Sequence, residues 1–368
     1  MITILASAMV LGLSPTLQEP QLPHHTFAES TGGWAVFGQP SANAKVSLTR
    51  DAAHLKVGSG SLQFDYGVAK GEINVLMLNT PDGGLAKMKS IRFWIQSDYT
   101  VPVGVVLQEK DGGNYMARFT APKGKWQRAE IALSDFTLNT GPTDPKDPDG
   151  HLDPDQVQSI MIFDLDQMFV QGDPAMATIF GVVSGAHSLY VSDFEAAPDA
   201  LNSVTASSGN ELTIDSLARP QVQWLGIGTT SMSVIPTSSL ESAALKVAYH
   251  VSPGHPAGVI RAVAPGFMTG ATQLSFKAAS EKPIKLMVQL EESDGGKYNT
   301  VIELPGGSTS KQITVLLSDL KAGDDSKDTN SKLDAELINQ LLVVDLTGMA
   351  DQTTQDNTLQ IGKVTATK

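Results

Sequence analysis

The sequence predicts an all-β protein built from two tandem β-sandwich domains. Three observations lead to this prediction: a length of 368 residues, a set of motifs that occurs twice, and short apolar segments with an alternating pattern. At about 150 residues per domain, the length allows two domains. The hydrophobic fraction of 41% supplies apolar material for two cores and excludes a fully disordered chain.

Four motifs recur in the same order at a nearly constant spacing. The period is too long for a solenoid, whose repeats are about 20 to 50 residues, so we expect each copy to be a whole domain. The segments Glu109–Tyr115 and Ser61–Tyr66 recur 183 residues later as Glu292–Tyr298 and Ala244–Tyr249, Leu133–Phe136 recurs 184 residues later as Leu317–Leu320, and Leu152–Asp153 recurs 181 residues later as Leu333–Asp334.

The positions of the two copies define the predicted domain boundaries. We predict a signal peptide and lead-in over residues 1–26, a first domain over 27–197 and a second, diverged domain over 211–368. The segment between the copies, residues 198–210, is rich in small and polar residues without periodicity, a composition typical of linkers.

The first residues of the chain predict export. Met1–Leu13 is apolar and uncharged, too short for a membrane span of about 20 residues but suited to the apolar region of a signal peptide. The absence of a basic residue before Lys45 leaves a buried strand or a truncated start as the alternative. We therefore expect a secreted or cell-surface protein, with no membrane span later in the chain.

Charge and cysteine content exclude several classes of partner and chemistry. The formal net charge of −13 argues against nucleic acid as a partner, because affinity for phosphates rests on Lys and Arg. The chain has no cysteine, so it forms no disulfide, holds no thiolate nucleophile and offers no thiolate ligand to zinc.

Strand signals fill each copy. Apolar and polar residues alternate in Ile91–Gln96 and Val103–Gln108, as in half-buried strands. A three-residue turn over Asp111–Gly113 would pair Lys110 with Asn114; it would also place Val105, Leu107 and Glu109 on one face with Phe119, Ala117 and Tyr115. Only Asp153–Ser159 and Asp334–Leu341 are predicted to be helical, each capped by its Asp.

The strand motifs resemble the galactose-binding-like jelly rolls of the family 11 carbohydrate-binding modules and the complex I intermediate-associated protein 30 group. The resemblance spans nearly the whole first copy. The second copy departs from it, since Ser308–Gln312 replaces Gly124–Arg128 and Lys363 replaces Asp193. The matching segments are Gly33–Trp34, Ser61–Phe64, Phe93–Asp98, Gly124–Arg128, Leu133–Phe136, Leu152–Val157 and Leu189–Phe194.

This resemblance implies two properties beyond the fold. Such sandwiches often bind glycans on a concave sheet face, and they often hold a structural calcium ion. For the calcium site of this kind, the resemblance points to Glu29 and Asp193. Because one fold serves many functions, these properties remain expectations.

A second candidate calcium site lies in an acidic loop. Its residues are Asp144, Asp147, Asp149 and Asp153, and carboxylates spaced in this way supply the oxygen ligands that Ca²⁺ prefers. Pro145 occupies the position where an EF-hand loop would place its first ligand. The alternative is a solvated acidic loop that caps a short helix.

No catalytic motif is complete in this sequence. HExxH, GxSxG, the P-loop and GxGxxG are all absent,. Asp164 and Asp166 are paired on one strand, but neighbouring carboxylates on a strand do not straddle a sugar ring as a glycosidase requires. We interpret them as surface charge or as backbone hydrogen-bond acceptors at a strand end, and we predict that the protein is not an enzyme.

Five side chains are predicted to form a ligand-binding face in the first domain: Arg92, Trp94, Gln96, Gln108 and Arg118. An indole packs on the C–H groups of a sugar while neighbouring polar groups bind its hydroxyls. Alternatively, this face packs under a loop or against the other sheet, and Trp94 is then a core residue.

The predicted function is non-catalytic, extracellular carbohydrate binding, with a polysaccharide or a surface glycan as the partner. The alternative is a structural or adhesive cell-surface protein that self-associates through its repeated sandwiches. The only cofactor expected is structural Ca²⁺.

Overall fold

The computed structural model describes residues 21–139, 144–172, 174–237, 240 and 242–368. The first 20 residues of the predicted signal peptide and lead-in therefore lie outside the described residues. Among the described residues, every helix is too short or too polar to cross a membrane.

Antiparallel sheets dominate the described chain, which confirms the predicted all-β class. The sheets stack in pairs, and each pair encloses its own core. The strands of the first sandwich are β1 His24–His25, β2 Ala35–Gln39, β3 Lys45–Thr49, β4 Ser61–Val68, β5 Ile73–Asn79, β6 Ser90–Ser97, β7 Val101–Glu109, β8 Asn114–Ala121, β9 Gln127–Ala132, β10 Thr137–Leu138, β11 Val157–Asp164 and β12 Gly185–Ala197.

The first sandwich has two layers of six strands. The back sheet has the order β3-β4-β12-β6-β9, with β1 paired to β12, and the front sheet has the order β10-β8-β7-β11-β5-β2. Between the two layers lie side chains such as Phe64, Phe93, Phe119 and Phe194, all almost completely buried. Their burial removes large apolar surfaces from water and is the main stabilising contribution to this sandwich.

The second sandwich repeats the plan. Its back sheet has the order β13-β14-β26-β19-β25-β17-β16, with β22 paired to β19, and its front sheet has the order β15-β18-β24-β20-β21-β23. The strands are β13 Ala206–Ser208, β14 Glu211–Asp215, β15 Leu225–Ile227, β16 Thr229–Pro236, β17 Ala243–Val251, β18 Ala257–Ala262, β19 Gln273–Ser280, β20 Ile284–Glu292, β21 Lys297–Leu304, β22 Lys311–Leu316, β23 Lys321–Ala322, β24 Ile338–Asp345, β25 Gln355–Ile361 and β26 Val364–Thr367.

The helices differ from the predicted ones. At the two predicted positions the chain makes only a turn before β11 and a 3₁₀ turn over Ala335–Leu337, because the alternating apolar residues that follow form strands. The α-helices observed are α1 Asp166–Gln171, α2 Pro174–Ile179 and α3 Thr347–Ala350, and the other 3₁₀ turns are Ala52–His54, Leu133–Asp135 and Leu317–Asp319.

The β7–β8 hairpin keeps the predicted faces but not the predicted pairing. Gln108 pairs with Asn114, and Leu107 pairs with Tyr115, which is a shift of two residues from the pairing expected for a three-residue turn. The turn is longer because Glu109 N–H donates to the Gly113 carbonyl at 2.8 Å. A shift by two preserves the side-chain faces, so the inward-facing set is as expected.

The first contact between the two sandwiches is a hydrogen-bonded seam. Thr120 in β8 donates its backbone N–H to the Val222 carbonyl at 2.8 Å. The buried Gln221 carboxamide donates to the Glu130 carbonyl at 2.6 Å and accepts from the Glu130 N–H at 3.3 Å. Leu225 also packs on the outer face of the first front sheet.

A longer connection in the first sandwich makes a second contact between the two. Residues 165–184 join β11 to β12, whereas only residues 346–354 join the corresponding strands β24 and β25. The extra length carries α2, which reaches the second sandwich: Gly228 N–H donates to the Ile179 carbonyl at 3.2 Å, and Phe180 packs on the outer face of the second front sheet. The two front sheets therefore face the same space.

Candidate functional site

The five predicted ligand-binding residues lie on two different sheets, so the expectation of a single shared face is wrong. Arg92, Trp94 and Gln96 lie in β6 of the back sheet, whereas Gln108 and Arg118 lie in β7 and β8 of the front sheet. The chain crosses between the layers after β6, and alternation within each strand does not reveal that crossing. The role of these residues in ligand binding stays a prediction.

A loop covers part of the back-sheet face around Trp94. The Lys56 ammonium lies 4.2 Å from the centroid of the half-buried Trp94 ring, and the Arg128 guanidinium lies 5.7 Å from it. His54 stacks on Tyr190 with centroids 3.7 Å apart, and its Nδ1 is 2.9 Å from Gln96 Oε1. The arrangement matches the alternative in which this face packs under a loop, and cations already contact the indole.

A large cleft lies between the two sandwiches. Its volume is about 1230 Å³, and it is lined by the outer faces of both front sheets together with α1, α2 and α3. Pockets for small ligands usually measure about 300 to 1,000 Å³, so the cleft has room for an extended ligand. Arg118 lines it, and the predicted residue Gln108 lies on the same sheet face, where its Oε1 accepts from the Ser159 hydroxyl at 3.2 Å.

The wall formed by the second front sheet changes from apolar to polar along its strands. Strand register places three successive rows across this sheet. The first row holds Val344, Met287 and Val301, the second Leu342, Gln289 and Asn299, and the third Gln340, Glu291 and Lys297. The third row lies nearest the Asp294 turn.

Several polar side chains at the polar end are available to a ligand. Gln289 Nε2 donates a hydrogen bond to Glu291 Oε1 at 2.7 Å. The Gln289 carbonyl oxygen takes no part in that bond and can accept one from a ligand. Asn339 also lines the cleft, and its Oδ1 is buried without a hydrogen-bond partner. Lys297 Nζ contacts Asp325 Oδ2 at 2.5 Å, and this contact lowers the pKa of the Asp325 carboxyl.

Arginines and aspartates accumulate where the cleft meets the seam. Arg219 Nη2 lies 3.6 Å from Asp135, and Arg261 Nε lies 3.5 Å from Asp215. Arg261 also donates to the Gln223 carbonyl and to its Oε1, both at 3.0 Å. Among the described residues, no hydrogen bond or ion pair engages the Arg118 guanidinium, and burial together with the Arg261 charge lowers its pKa.

Two equivalent acidic clusters stand at the hairpin turns. Glu109, Asp111 and Asp147 each offer a carboxylate oxygen within 4.8 Å of the others, and Glu292, Asp294 and Asp328 repeat this arrangement. Among the described residues these are the only such groups of three or more. An all-carboxylate oxygen set fits the ligand preference of Ca²⁺.

The buried glutamate is the centre of each cluster. Burial raises the pKa of the Glu109 carboxyl to about 7, and the neighbouring Asp147 and Asp111 charges raise it further. A hydrogen bond from the Asp153 N–H lowers this pKa, but by less than burial raises it. Tyr115 donates its hydroxyl to Asp147, as Tyr298 does to Asp328. A cation placed among these carboxylates would offset their mutual repulsion.

The four calcium ligands predicted in the acidic loop do not all lie together. Asp147 belongs to the cluster, and Asp153 contacts it only through its backbone N–H. Asp149 accepts a hydrogen bond from the His151 N–H at 2.8 Å, and Asp144 lines the cleft.

At the other predicted calcium site, Glu29 is exposed. Asp193 lies 3.0 Å from His24 Nε2 and 3.6 Å from Arg128 Nη1. A metal at this site stays a prediction.

Asp164 and Asp166 are buried, so the interpretation as surface charge is wrong. Asp164 accepts hydroxyl hydrogens from Tyr66 and Tyr99 and the Asp166 N–H at 2.8 Å. This last bond confirms the interpretation as a backbone acceptor. Burial is the main cause of the raised pKa of both carboxyls, and in Asp166 the Asp164 charge adds to it.

Sequence reasoning missed two parts of the site. Glu109 and Glu292 occupy inward-facing positions, and an acidic residue repeated at a core position is a signal of a buried site. The helices that line the cleft left no comparable signal beyond the different lengths of the two connections, residues 165–184 and 346–354.

Comparison with known proteins gives likenesses of structure only. No family model and no curated protein matches the chain. The chain is similar to a family 11 carbohydrate-binding module from Clostridium thermocellum, in complex with a β-1,3-1,4-mixed-linked tetrasaccharide, at 16% identity and a TM-score of 0.35; the match covers 44% of this chain and 97% of that one.

Two further structures show similar levels of likeness. The tandem of two family 22 modules from Paenibacillus barcinonensis Xyn10C matches at 13% identity and a TM-score of 0.30, covering 94% of this chain and 97% of that one. An exo-β-agarase matches at 14% identity and a TM-score of 0.34, covering 44% of this chain and 26% of the enzyme. These likenesses agree with the resemblance that the sequence motifs indicate, but at such scores they carry no argument about what the cleft binds.

Proposed function

We propose that this protein binds a carbohydrate chain, without catalysis, in the cleft between its two sandwiches. The observation that carries the proposal is the polar end of the cleft, where Gln289, Asn299, Gln340 and Asn339 lie together. Carboxamides both donate and accept hydrogen bonds, which matches the hydroxyl groups of a sugar. The partner is a polysaccharide or a surface glycan.

The carboxylates at the polar end of the cleft support a binding role over a hydrolytic one; Asp135, whose pKa is raised by burial, lies at the seam beside Arg219. A glycosidase needs one carboxyl with a raised pKa opposite a second carboxylate. Asp325 is instead held ionised by Lys297, and Glu291 accepts a hydrogen bond from its neighbour Gln289. Asp164 and Asp166 are buried away from solvent.

Structural calcium is part of the proposal. The three carboxylates of each acidic cluster would hold the ion, and Glu109 and Glu292 would contribute from the strand ends. The ion would then brace each hairpin against its acidic loop, in a protein that has no disulfide. We also propose a location outside the cytoplasm, supported by the apolar start of the sequence and tested by fractionating cells that express the full chain.

Affinity electrophoresis on a panel of polysaccharides tests the binding function. We expect the full chain to be retarded by at least one glycan, and the double variant Gln289→Ala/Asn299→Ala to lose this retardation. Trp94→Ala is the matched comparison, because Trp94 is one of the five ligand-binding residues predicted from the sequence. Loss of retardation in Trp94→Ala alone would move the site to the back-sheet face, and no retardation of the unmodified chain by any glycan would contradict the function.

The same preparations test self-association. Light scattering of the unmodified chain is expected to give the mass of a monomer, 38.9 kDa. A concentration-dependent rise in mass, without retardation by glycans, would favour the structural or adhesive alternative.

A further inference from the structure

Large apolar side chains are exposed at the mouth of the cleft. Met168, Met176, Ile179 and Met349 are between 38% and 51% exposed, and all four line the cleft. They come from three separate helices, α1, α2 and α3. Single exposed apolar residues are ordinary, whereas a group of them around one concavity marks a binding site for an apolar surface.

The interior next to this mouth is apolar on both walls. Met116 and Leu165 come from the first sandwich, and Met287, Leu342 and Val344 come from the second. Five of the twelve methionines of the chain line the cleft. Methionine side chains are flexible and polarisable, so they adapt to apolar ligands of varied shape. Sugar hydroxyls would find no good hydrogen-bond partners on these apolar side chains.

The charge at the seam is not balanced. The region holds three guanidinium groups and two carboxylates. Arg219 pairs with Asp135, and Arg261 pairs with Asp215. Arg118 is left without a partner among the described residues. The Arg118 side chain is half-buried, and a partly desolvated charge without an opposite charge beside it is unfavourable. An anionic group of a ligand would offset it.

Arg118 is placed to connect these two features. It extends from β8 on the same face as Met116, and its pairing partner in β7 is Gly104. A Cβ at Gly104 would lie 2.9 Å from the Phe163 ring, so the glycine lets Phe163 and Leu165 pack closely beside Arg118. The guanidinium therefore borders the apolar wall. Of the acidic residues that line the cleft, Asp135 is paired with Arg219, and Asp325 is paired with Lys297.

We infer that the cleft binds a single soluble amphiphile, with its alkyl chain on the methionine-rich wall and its anionic headgroup paired with Arg118. This site goes beyond the proposed carbohydrate function: it shares the cleft but uses the methionine-rich wall and Arg118 instead of Gln289 and Asn299. The ligand class is a long-chain carboxylate, or an acyl-bearing molecule whose anion lies close to the chain.

Calorimetric titration with dodecanoate below its micelle concentration tests the inference. We expect one molecule bound per chain. Met287→Glu places a charge on the apolar wall and should weaken binding about tenfold or more, because it puts a carboxylate against the alkyl chain. Leu316→Glu is the matched control, since Leu316 is 45% exposed and lies outside the cleft lining; it should bind like the unmodified chain.

A second pair of titrations tests the headgroup. Arg118→Met should weaken dodecanoate binding about tenfold or more, the scale of a lost charge-assisted hydrogen bond, and should leave dodecanol binding unchanged or improved. Circular dichroism confirms that each variant folds. Equal loss of both ligands in Arg118→Met, or equal loss in Met287→Glu and Leu316→Glu, would overturn the inference.

Two further outcomes also decide it. Failure of the unmodified chain to bind dodecanoate would overturn the inference and leave the glycan result untouched, because that result depends on Gln289 and Asn299. Co-sedimentation with phosphatidylglycerol vesicles, without binding of monomeric dodecanoate, would show a membrane-surface site and would also overturn it.

Discussion

Thr120 of the first sandwich donates its hydroxyl hydrogen to the backbone carbonyl of Trp224 in the second, at 2.8 Å. Trp224 is completely buried in the core of its own sandwich, so this bond ties the edge of one domain to the interior of the other. With the Gln221 carboxamide beside it, the seam holds the two front sheets around a common cleft. The cleft therefore depends on the seam.

Replacing Gln221 by alanine is expected to loosen the seam. The substitution removes both hydrogen bonds to the part-buried backbone of Glu130, and the loss of two such bonds lowers the free energy of unfolding by about 1 to 3 kcal/mol. Urea denaturation measures the loss, and small-angle scattering detects separation of the sandwiches. Gln312→Ala, which removes carboxamide bonds to the Phe276 and Ile313 carbonyls within the second sandwich, is the control; an equal separation of the sandwiches there would contradict the role of the seam.

Stability is expected to fall as pH rises from weakly acidic to mildly alkaline. Burial and the neighbouring Asp164 charge raise the pKa of Asp166 to about 8 in the folded chain, whereas an unfolded aspartate has a pKa near 3.9. The folded state thus holds more protons over that interval, so the free energy of unfolding decreases with pH between about 4 and 8. Asp166→Asn should flatten this slope in pH-dependent denaturation.

The control for the pH experiment is Asp82→Asn, whose side chain is 90% exposed. It should retain the slope of the unmodified chain. An unchanged slope in Asp166→Asn would show that the buried pair does not determine the pH dependence.

Calcium is expected to stabilise the chain through both acidic clusters. At a hundredfold excess over its dissociation constant, one bound ion adds about 2.7 kcal/mol to the free energy of unfolding. Thermal denaturation with calcium and with EDTA measures this gain; Glu109→Gln and Glu292→Gln should each remove part of it and together all of it. Asp149→Asn, outside the clusters, should keep the full gain, and loss of the gain there would return the site to the sequence-predicted loop.

Lys56 is expected to shield Trp94. Removing the ammonium in Lys56→Ala exposes one face of the indole, so acrylamide should quench tryptophan fluorescence more strongly, while the free energy of unfolding falls by only about 0.5 to 1 kcal/mol. Trp34 and Trp224 are buried and contribute little to the change. Lys70→Ala, at an exposed position, should leave quenching unaltered; equal quenching in both variants would contradict the contact.

Alternation and duplication were sufficient to predict the fold class. Inward-facing positions such as Leu107 and Ala117 follow from the period of two, and a pairing shift of two residues does not alter them. The repeated Asp-Gly-Gly turns at Asp111 and Asp294 located the hairpins that carry the acidic clusters.

The candidate site was less predictable, because it forms between elements that are distant in sequence. Alternation shows which residues share one side of a strand, but it does not show which sheet the strand joins. Trp94 and Arg118 were for that reason assigned to one face. The cleft also depends on contacts between the sandwiches, such as Thr120 with Trp224, and no local pattern encodes those.

Calorimetric titration of the full chain with a soluble oligosaccharide of the glycan that retards it tests the central claim, a single carbohydrate site shared by the two sandwiches. We predict one oligosaccharide bound per chain, with binding abolished in Gln289→Ala/Asn299→Ala and preserved in Trp94→Ala. Two oligosaccharides per chain, or undiminished binding in the double cleft variant, would contradict it.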